Sequence, residues 1–191
     1  MKILAIPATN SRNGINRQLV GYAATLLESG VFGVDASVEI LDLNDYEMPI
    51  YSDERRYGDG FPEPAQRFLD QIGAADAVIV SFAEHNGSFS VAWKNVYDWA
   101  SRIDMQVYQG RRVAMFATAP GPRGGLGVLE HAALAAPFFS ADLVGTLSIP
   151  SFGENFDTDA GELSNPELRA EFIRILGALA TTSVAAPSHA S

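Results

Sequence analysis

The chain has no cysteine among its 191 residues, which excludes disulfides, thiolate catalysis and Cys-based metal or iron–sulfur sites. Histidine is scarce: His85, His131 and His189 stand far apart, so no metal-ligand spacing exists and no metal site is expected. Positive charge is outweighed, with 13 Lys and Arg against 23 Asp and Glu and a net charge of −10. That balance argues against nucleic acid or an anionic membrane as a partner held by a general field. It leaves room for a small anionic ligand, because a few oriented amides bind a phosphate even on an acidic protein. No apolar run approaches membrane-spanning length, and the opening KILAIP is too short for a signal peptide. A soluble, cytoplasmic protein is the expectation.

Other absences concern motifs. No Gly-Lys-Ser/Thr follows a glycine loop and no Gly-x-Gly-x-x-Gly occurs, which weighs against ATP, GTP and Rossmann-type dinucleotide sites. Asn86-Gly87-Ser88-Phe89-Ser90 has glycine on one side of its serine only, so it is no hydrolase elbow. The acid pairs Asp42/Asp45 and Asp157/Asp159 fall in loops, where solvated carboxylates are common. Without a strong nucleophile or metal, an enzyme built on this chain needs a cofactor for its reactivity.

What is present is a repeating α/β pattern. Apolar runs at Lys2–Pro7, Ser37–Leu43, Ala75–Phe82, Val113–Thr118 and Leu143–Ile149 read as strands. Helical spacing follows from Asn16, over Pro62–Gly73, Ala92–Ile103, within Gly124–Phe139, and over Pro166–Ala180. Asn44–Phe61, rich in Asp, Tyr, Gly and Pro, reads as a long surface loop. Five strands alternating with helices imply one doubly wound domain over residues 1–181, a parallel sheet with helices on both faces, and a flexible tail at 182–191.

In an open parallel sheet the ligand crevice lies at the carboxyl ends of the strands. The loops there have the oddest composition in the chain. Ala8-Thr9-Asn10-Ser11-Arg12-Asn13-Gly14-Ile15-Asn16 offers hydroxyls, amides, an Arg and a glycine before a helix, a set suited to phosphate. A plain N-cap at Asn13 or Asn16 explains the same residues. Ala83-Glu84-His85-Asn86-Gly87-Ser88 breaks a buried strand with an acid, an imidazole, an amide and a glycine. Ala119-Pro120-Gly121-Pro122-Arg123-Gly124-Gly125 lets backbone approach a flat ligand, or is a flexible turn before a helix.

These three loops, with Lys94-Asn95 and Asp98-Trp99, resemble the motifs of the NAD(P)H-dependent FMN reductase family, and the likeness extends from Lys2 to about Asp157. Ala8, Gly14 and Ala83 stand where the family usually has Gly, Ser and Pro. The resemblance implies a flavodoxin-like three-layer sandwich with strand order 2-1-3-4-5. It implies FMN phosphate binding by Thr9, Ser11 and Asn16 with nearby amides, and Arg12 adds a compensating charge. It sets the flavin ring between Glu84, His85, Asn86 and Gly87 on one side and Ala119, Pro120, Gly121 and Gly124 on the other. His85 is then a wall beside the ring rather than a base. The implied chemistry lies on FMN N5, with NADH or NADPH as hydride donor, a quinone, azo compound or free flavin as small-molecule acceptor, and no catalytic side chain. A flavodoxin-like electron carrier without direct NAD(P)H oxidation is the alternative. The resemblance further implies a homodimer or homotetramer. Trp93, Tyr97, Trp99 and the Tyr51–Phe61 loop are candidates for the interface and acceptor pocket, or for plain core.

Overall fold

The computed structural model describes residues 1–181; the tail expected at 182–191 lies outside them. In chain order the elements are β1 (Lys2–Ala8), α1 (Ile15–Glu28), β2 (Ser37–Ile40), a 3-10 turn (Leu43–Tyr46), α2 (Asp53–Gly58), α3 (Glu63–Ala74) and β3 (Ala77–Phe82). Then come β4 (Glu84–His85), β5 (Ser88–Phe89), α4 (Val91–Ile103), β6 (Arg112–Thr118), α5 (Leu126–Ala135), a 3-10 turn (Ala136–Phe139) and β7 (Asp142–Ile149). The chain closes with α6 (Phe152–Asn155), β8 (Phe156–Asp157), β9 (Glu162–Leu163) and α7 (Pro166–Ala180).

The main sheet is parallel with order β2-β1-β3-β6-β7, the 2-1-3-4-5 arrangement expected. Its three central strands, KILAIPA, AVIVSF and RVAMFAT, are buried on both faces beyond their first residues, as near-continuous apolar runs require. Helices α1 and α7 pack one face around Leu19, Phe172 and Ile175. Helices α3, α4 and α5 pack the other around Phe68, Trp93 and Leu129. Pro7 is tolerated in a central strand because the ladder to β2 ends at Ala5↔Ile40. Its missing N–H therefore breaks no bond on that side.

Several boundaries differ from the sequence reading. Strand β2 stops at Ile40 rather than Leu43, because the Asp42 side chain accepts from Asn44 N (3.0 Å) and turns the chain into the 3-10 segment. The Asn44–Phe61 loop carries helix α2, capped by Ser52 Oγ accepting from Arg55 N. Helix α1 has Gly14, neither Asn13 nor Asn16, at its N-cap, with no side-chain cap bond. Two short hairpins, β4–β5 and β8–β9, were not legible as strands. In the second, Asp157 Oδ1 accepts from Asp159 N and Ala160 N, so this acid pair shapes a turn.

Candidate active site

The loops after β1, β3 and β6 meet at the carboxyl edge of the sheet, held by buried polar side chains. Asn16 is 3% exposed; its Oδ1 accepts from Ser81 Oγ of β3 (2.7 Å) and its Nδ2 reaches the Thr118 carbonyl of β6 (3.4 Å). One amide thus ties helix α1 to two strands. Ser90 caps α4 and donates to the Ala8 carbonyl (2.7 Å), tying the second loop to the first. Asn44 Nδ2 donates to the Asn10 carbonyl (3.1 Å), so the segment after β2 joins the same edge.

In the first loop Thr9 is buried and its Oγ1 accepts from Ser11 N (3.1 Å). Ser11 and Arg12 are exposed. Because α1 carries no side-chain cap, the Ile15 and Asn16 N–H groups of its first turn stay open to an anion, while the Arg17 N–H donates to the Gly14 carbonyl (3.0 Å). A Cβ at Gly14 would come within 3.1 Å of the Ser11 carbonyl oxygen, so the loop closes tightly on itself there. Arg12 lies 3.7 Å from Asp42. Burial would raise the Asp42 carboxyl, but bonds from Asn44 and the charges of Arg12 and Arg17 outweigh it and hold it below the usual range.

The second loop is a two-residue hairpin. Asn86 (φ 53°) and Gly87 (φ 75°) both sit in the left-handed region, as the Asn-Gly turn between paired strands demands. Among the described residues neither the Asn86 nor the Gly87 N–H donates to a backbone carbonyl. His85 is exposed and lines a cleft of about 560 Å³ with Asn10, Met48, Ile50, Val91 and Asn95. The half-buried Glu84 points toward α5, where a Cβ at Gly127 would stand 3.0 Å from its Oε1.

The third loop stands apart from the cleft beside His85. No residue of Ala119–Gly125 lines that cleft. The Ala119 and Gly121 carbonyls accept from Phe152 N and Ser151 N, and Ser148 Oγ donates to the Gly124 carbonyl (3.0 Å), so the loop is fastened to the end of β7. Gly124 is buried against that segment: a Cβ there would meet Ser148 Oγ at 2.5 Å and Pro150 N at 2.7 Å. Its glycine answers a packing need, whereas Pro120 and Gly121 are exposed.

Asn95 and Trp99 of α4 hold the segment that follows the first 3-10 turn. Asn95 accepts from Tyr51 N (2.9 Å) and donates to Met48 O (3.0 Å) and Pro49 O (3.2 Å), while Trp99 Nε1 donates to Pro49 O (2.8 Å). Together they pin the 48–51 segment onto α4 as one wall of the cleft. Trp93 and Trp99 are core residues, the second of the two alternatives that their sequence left open. Tyr97 and Tyr108 face each other, and burial pushes both hydroxyls above their ordinary range. The buried hydrogen bonds of Asn16 were missed too, since an Asn in a helix's first turn carries no signal for a partner 65 residues away.

The family model described as NADPH-dependent FMN reductase matches residues 1–153. The chain is 32% identical over 124 residues to the NAD(P)H-dependent FMN reductase PA1204 of Pseudomonas aeruginosa, covering 65% of this chain and 63% of that protein. It is 33% identical over 125 residues to a 2-hydroxy-1,4-benzoquinone reductase of Burkholderia sp, covering 65% and 63%. The match thus spans somewhat less than two thirds of either relative. In fold the chain is similar to FerB, a flavoenzyme NAD(P)H:(acceptor) oxidoreductase from Paracoccus denitrificans, with a TM-score of 0.69 at 21% identity over 93% of this chain and 96% of that one.

Proposed function

The chain belongs to the NADPH-dependent FMN reductase family, and on that premise we propose that it is an FMN-dependent NAD(P)H oxidoreductase acting on a quinone, azo compound, free flavin or similar small acceptor. The observation that carries this is the meeting of the loops after β1, β3 and β6 at one edge of the sheet, with open amides in the first two.

The residues fit FMN. The uncapped start of α1, with the hydroxyls of Thr9 and Ser11 and the cation of Arg12, is a donor set for a phosphate monoester. Asn16, its amide spent inside the fold, holds that loop in shape rather than reaching the phosphate. Along the β4–β5 turn the free N–H groups of Asn86 and Gly87 would stabilise negative charge at the edge of a reduced ring. Exposed Pro120 and Gly121 with Ala119 form the farther wall, and Glu84 and His85 flank the turn. Bound FMN would supply the redox chemistry, taking a hydride from NADH or NADPH and passing electrons on. The cleft beside His85, lined by Met48, Ile50 and Val91, suits an apolar acceptor and lies in the usual range of about 300–1,000 Å³ for small-molecule sites.

Assembly as a homodimer or homotetramer belongs to the same proposal. Met105 (52% exposed) lines a hollow of about 210 Å³ between α4 and α5 with Tyr97, His131 and Phe139. Leu134 (76% exposed) and Phe138 (78% exposed) add further exposed apolar surface on α5 and the turn after it, surface suited to a second copy. Light scattering on the wild type and on Leu134→Glu tests it; a monomeric wild type would sink the idea. The cytoplasmic setting expected from the sequence is likewise part of the proposal. The function itself is tested by titrating the protein with FMN, dialysing, and following NADPH and NADH oxidation with a quinone. Retained flavin with quinone-dependent oxidation is expected. Retained flavin without direct oxidation would favour the electron-carrier alternative.

A further inference from the structure

The hollow of about 210 Å³ between α4 and α5 has no part in the flavin chemistry proposed above. It shares no lining residue with the cleft beside His85: Ala92 and Asn95 of α4 face the cleft, whereas Trp93, Lys94, Tyr97 and Asp98 face the hollow. Its floor is built of rings. Phe89, Phe82, Trp93, Tyr97 and Phe139 follow one another with centroids 4.9–5.6 Å apart. Phe82 and Trp93 are core residues, so the hollow reaches through the helix layer to β3. A cavity of about 150 Å³ with apolar walls takes benzene. One six-membered ring with a substituent or two therefore fits here, whereas a tricyclic flavin or a whole dinucleotide does not.

The charges at the mouth favour a neutral occupant. Lys94 Nζ donates to both carboxylate oxygens of Asp98 (2.6 and 2.7 Å), and Arg102 lies over the ring of Tyr51 (5.5 Å), which is outside the hollow. Deeper in, the polar groups are phenolic. Tyr97 and Tyr108 face each other with centroids 6.0 Å apart, and Tyr108 is 2% exposed. Among the described residues each hydroxyl has the other as its one hydrogen-bonding neighbour, and burial keeps both protonated. Two hydroxyls that bond each other satisfy one donor and leave the second O–H without an acceptor. Buried donors are normally paired, so this one calls for an oxygen inside the hollow.

We propose that this hollow is a second small-molecule site, for a neutral monocyclic phenol or quinol whose ring packs on the aromatic floor and whose oxygen accepts from the Tyr97–Tyr108 pair. Leu134 and Phe138 do not line it, so a second copy seated on them and an occupant of the hollow use different side chains. Quinols are what quinone reduction yields, so on the oxidoreductase reading the site takes product. The site itself stands without that reading.

The test needs neither flavin nor turnover. Para-cresol, toluene and benzoate are titrated calorimetrically into the full chain, with and without FMN, as wild type, Tyr97→Phe, Ala135→Phe and Leu134→Ala. The wild type should bind one para-cresol with a Kd below about 1 mM. Toluene, which lacks the oxygen, and benzoate, which carries a charge, should bind about threefold or more weaker. Tyr97→Phe should weaken para-cresol about three- to tenfold and leave toluene unchanged. Ala135→Phe, which fills the hollow, should abolish binding, and Leu134→Ala, outside it, should change nothing. A melting curve accompanies each variant; should Ala135→Phe fail to fold, Tyr97→Phe decides. No saturable binding at a concentration on the order of 10 mM, benzoate or toluene binding as tightly as para-cresol, or para-cresol binding that Tyr97→Phe leaves unchanged overturns the site. None of these results touches the oxidoreductase reading, which fails instead by absence of flavin binding and of NAD(P)H oxidation.

Discussion

Replacing Gly87 by alanine separates a main-chain account of the β4–β5 turn from a side-chain one. Gly87 has φ of 75° and follows Asn86 at 53°, so the turn needs two successive left-handed residues. An added Cβ meets nothing closer than Glu84 Oε1 at 4.0 Å, so the substitution brings no clash. What remains is backbone strain, about 1–2 kcal/mol for an L-residue in this region. If binding requires the turn to present its Asn86 and Gly87 N–H groups, the strain appears as roughly 5–30-fold weaker FMN binding. Gly87→Asn should recover part of the loss, since asparagine tolerates the left-handed region, and Gly87→Val should lose more. His85→Ala removes an exposed ring that makes no side-chain hydrogen bond among the described residues, so it should change affinity by about twofold or less. The assay is quenching of FMN fluorescence on titration with protein, with a melting curve for each variant as a folding control. A larger loss for His85→Ala than for Gly87→Ala, or no loss for Gly87→Ala, refutes the main-chain account.

Further outcomes follow from the same geometry. Asn16→Ala strands the buried Ser81 hydroxyl and should cost about 1–3 kcal/mol in urea unfolding; a loss below about 0.5 kcal/mol would contradict its bracing role. Gly124→Ala should lower the melting temperature sharply, because its Cβ meets Pro150 N at 2.7 Å, whereas Gly121→Ala, with nothing within 4 Å, should be nearly neutral. Asn95→Ala frees the 48–51 segment and should hasten tryptic cleavage after Arg55 and Arg56 in the native protein; an unchanged cleavage rate would mean that Trp99 alone holds it. Asp42, with its folded pKa lowered, contributes stability above the usual carboxylate range that is lost as pH falls through the folded value. The stability gap between wild type and Asp42→Asn should therefore narrow toward acid pH, as denaturant titrations at several pH values would reveal.

The sheet was legible because its central strands are uninterrupted apolar runs, a pattern that only burial on both faces explains. The last helix matched residue for residue because Pro166 marks its first turn and Asn165 caps it. Short elements were not legible: β4 and β5 hold two residues each and carry no periodicity. Their one sign is the Asn86-Gly87 pair, which suits a tight turn but does not mark the strands on either side of it. At the site, composition found the loops but not the direction of their groups. Asn16 reads as a ligand residue by type and turns inward by hydrogen bonding, and Gly124 reads as flexibility yet is required by a neighbouring strand end. Both depend on partners distant in sequence, which composition cannot supply. Asn95 is the converse, a motif residue whose task became clear only when the 48–51 segment was seen to fold back onto α4.

The central claim is that this edge of the sheet binds FMN and turns over a reduced nicotinamide nucleotide. The most direct measurement is visible absorbance of the protein after FMN addition and exhaustive dialysis, followed by the loss of reduced-nicotinamide absorbance from NADPH with and without a quinone. The account predicts about one retained flavin per chain and oxidation that depends on the quinone. A protein that keeps no flavin, shows no titratable flavin binding and leaves NADPH and NADH untouched would contradict it.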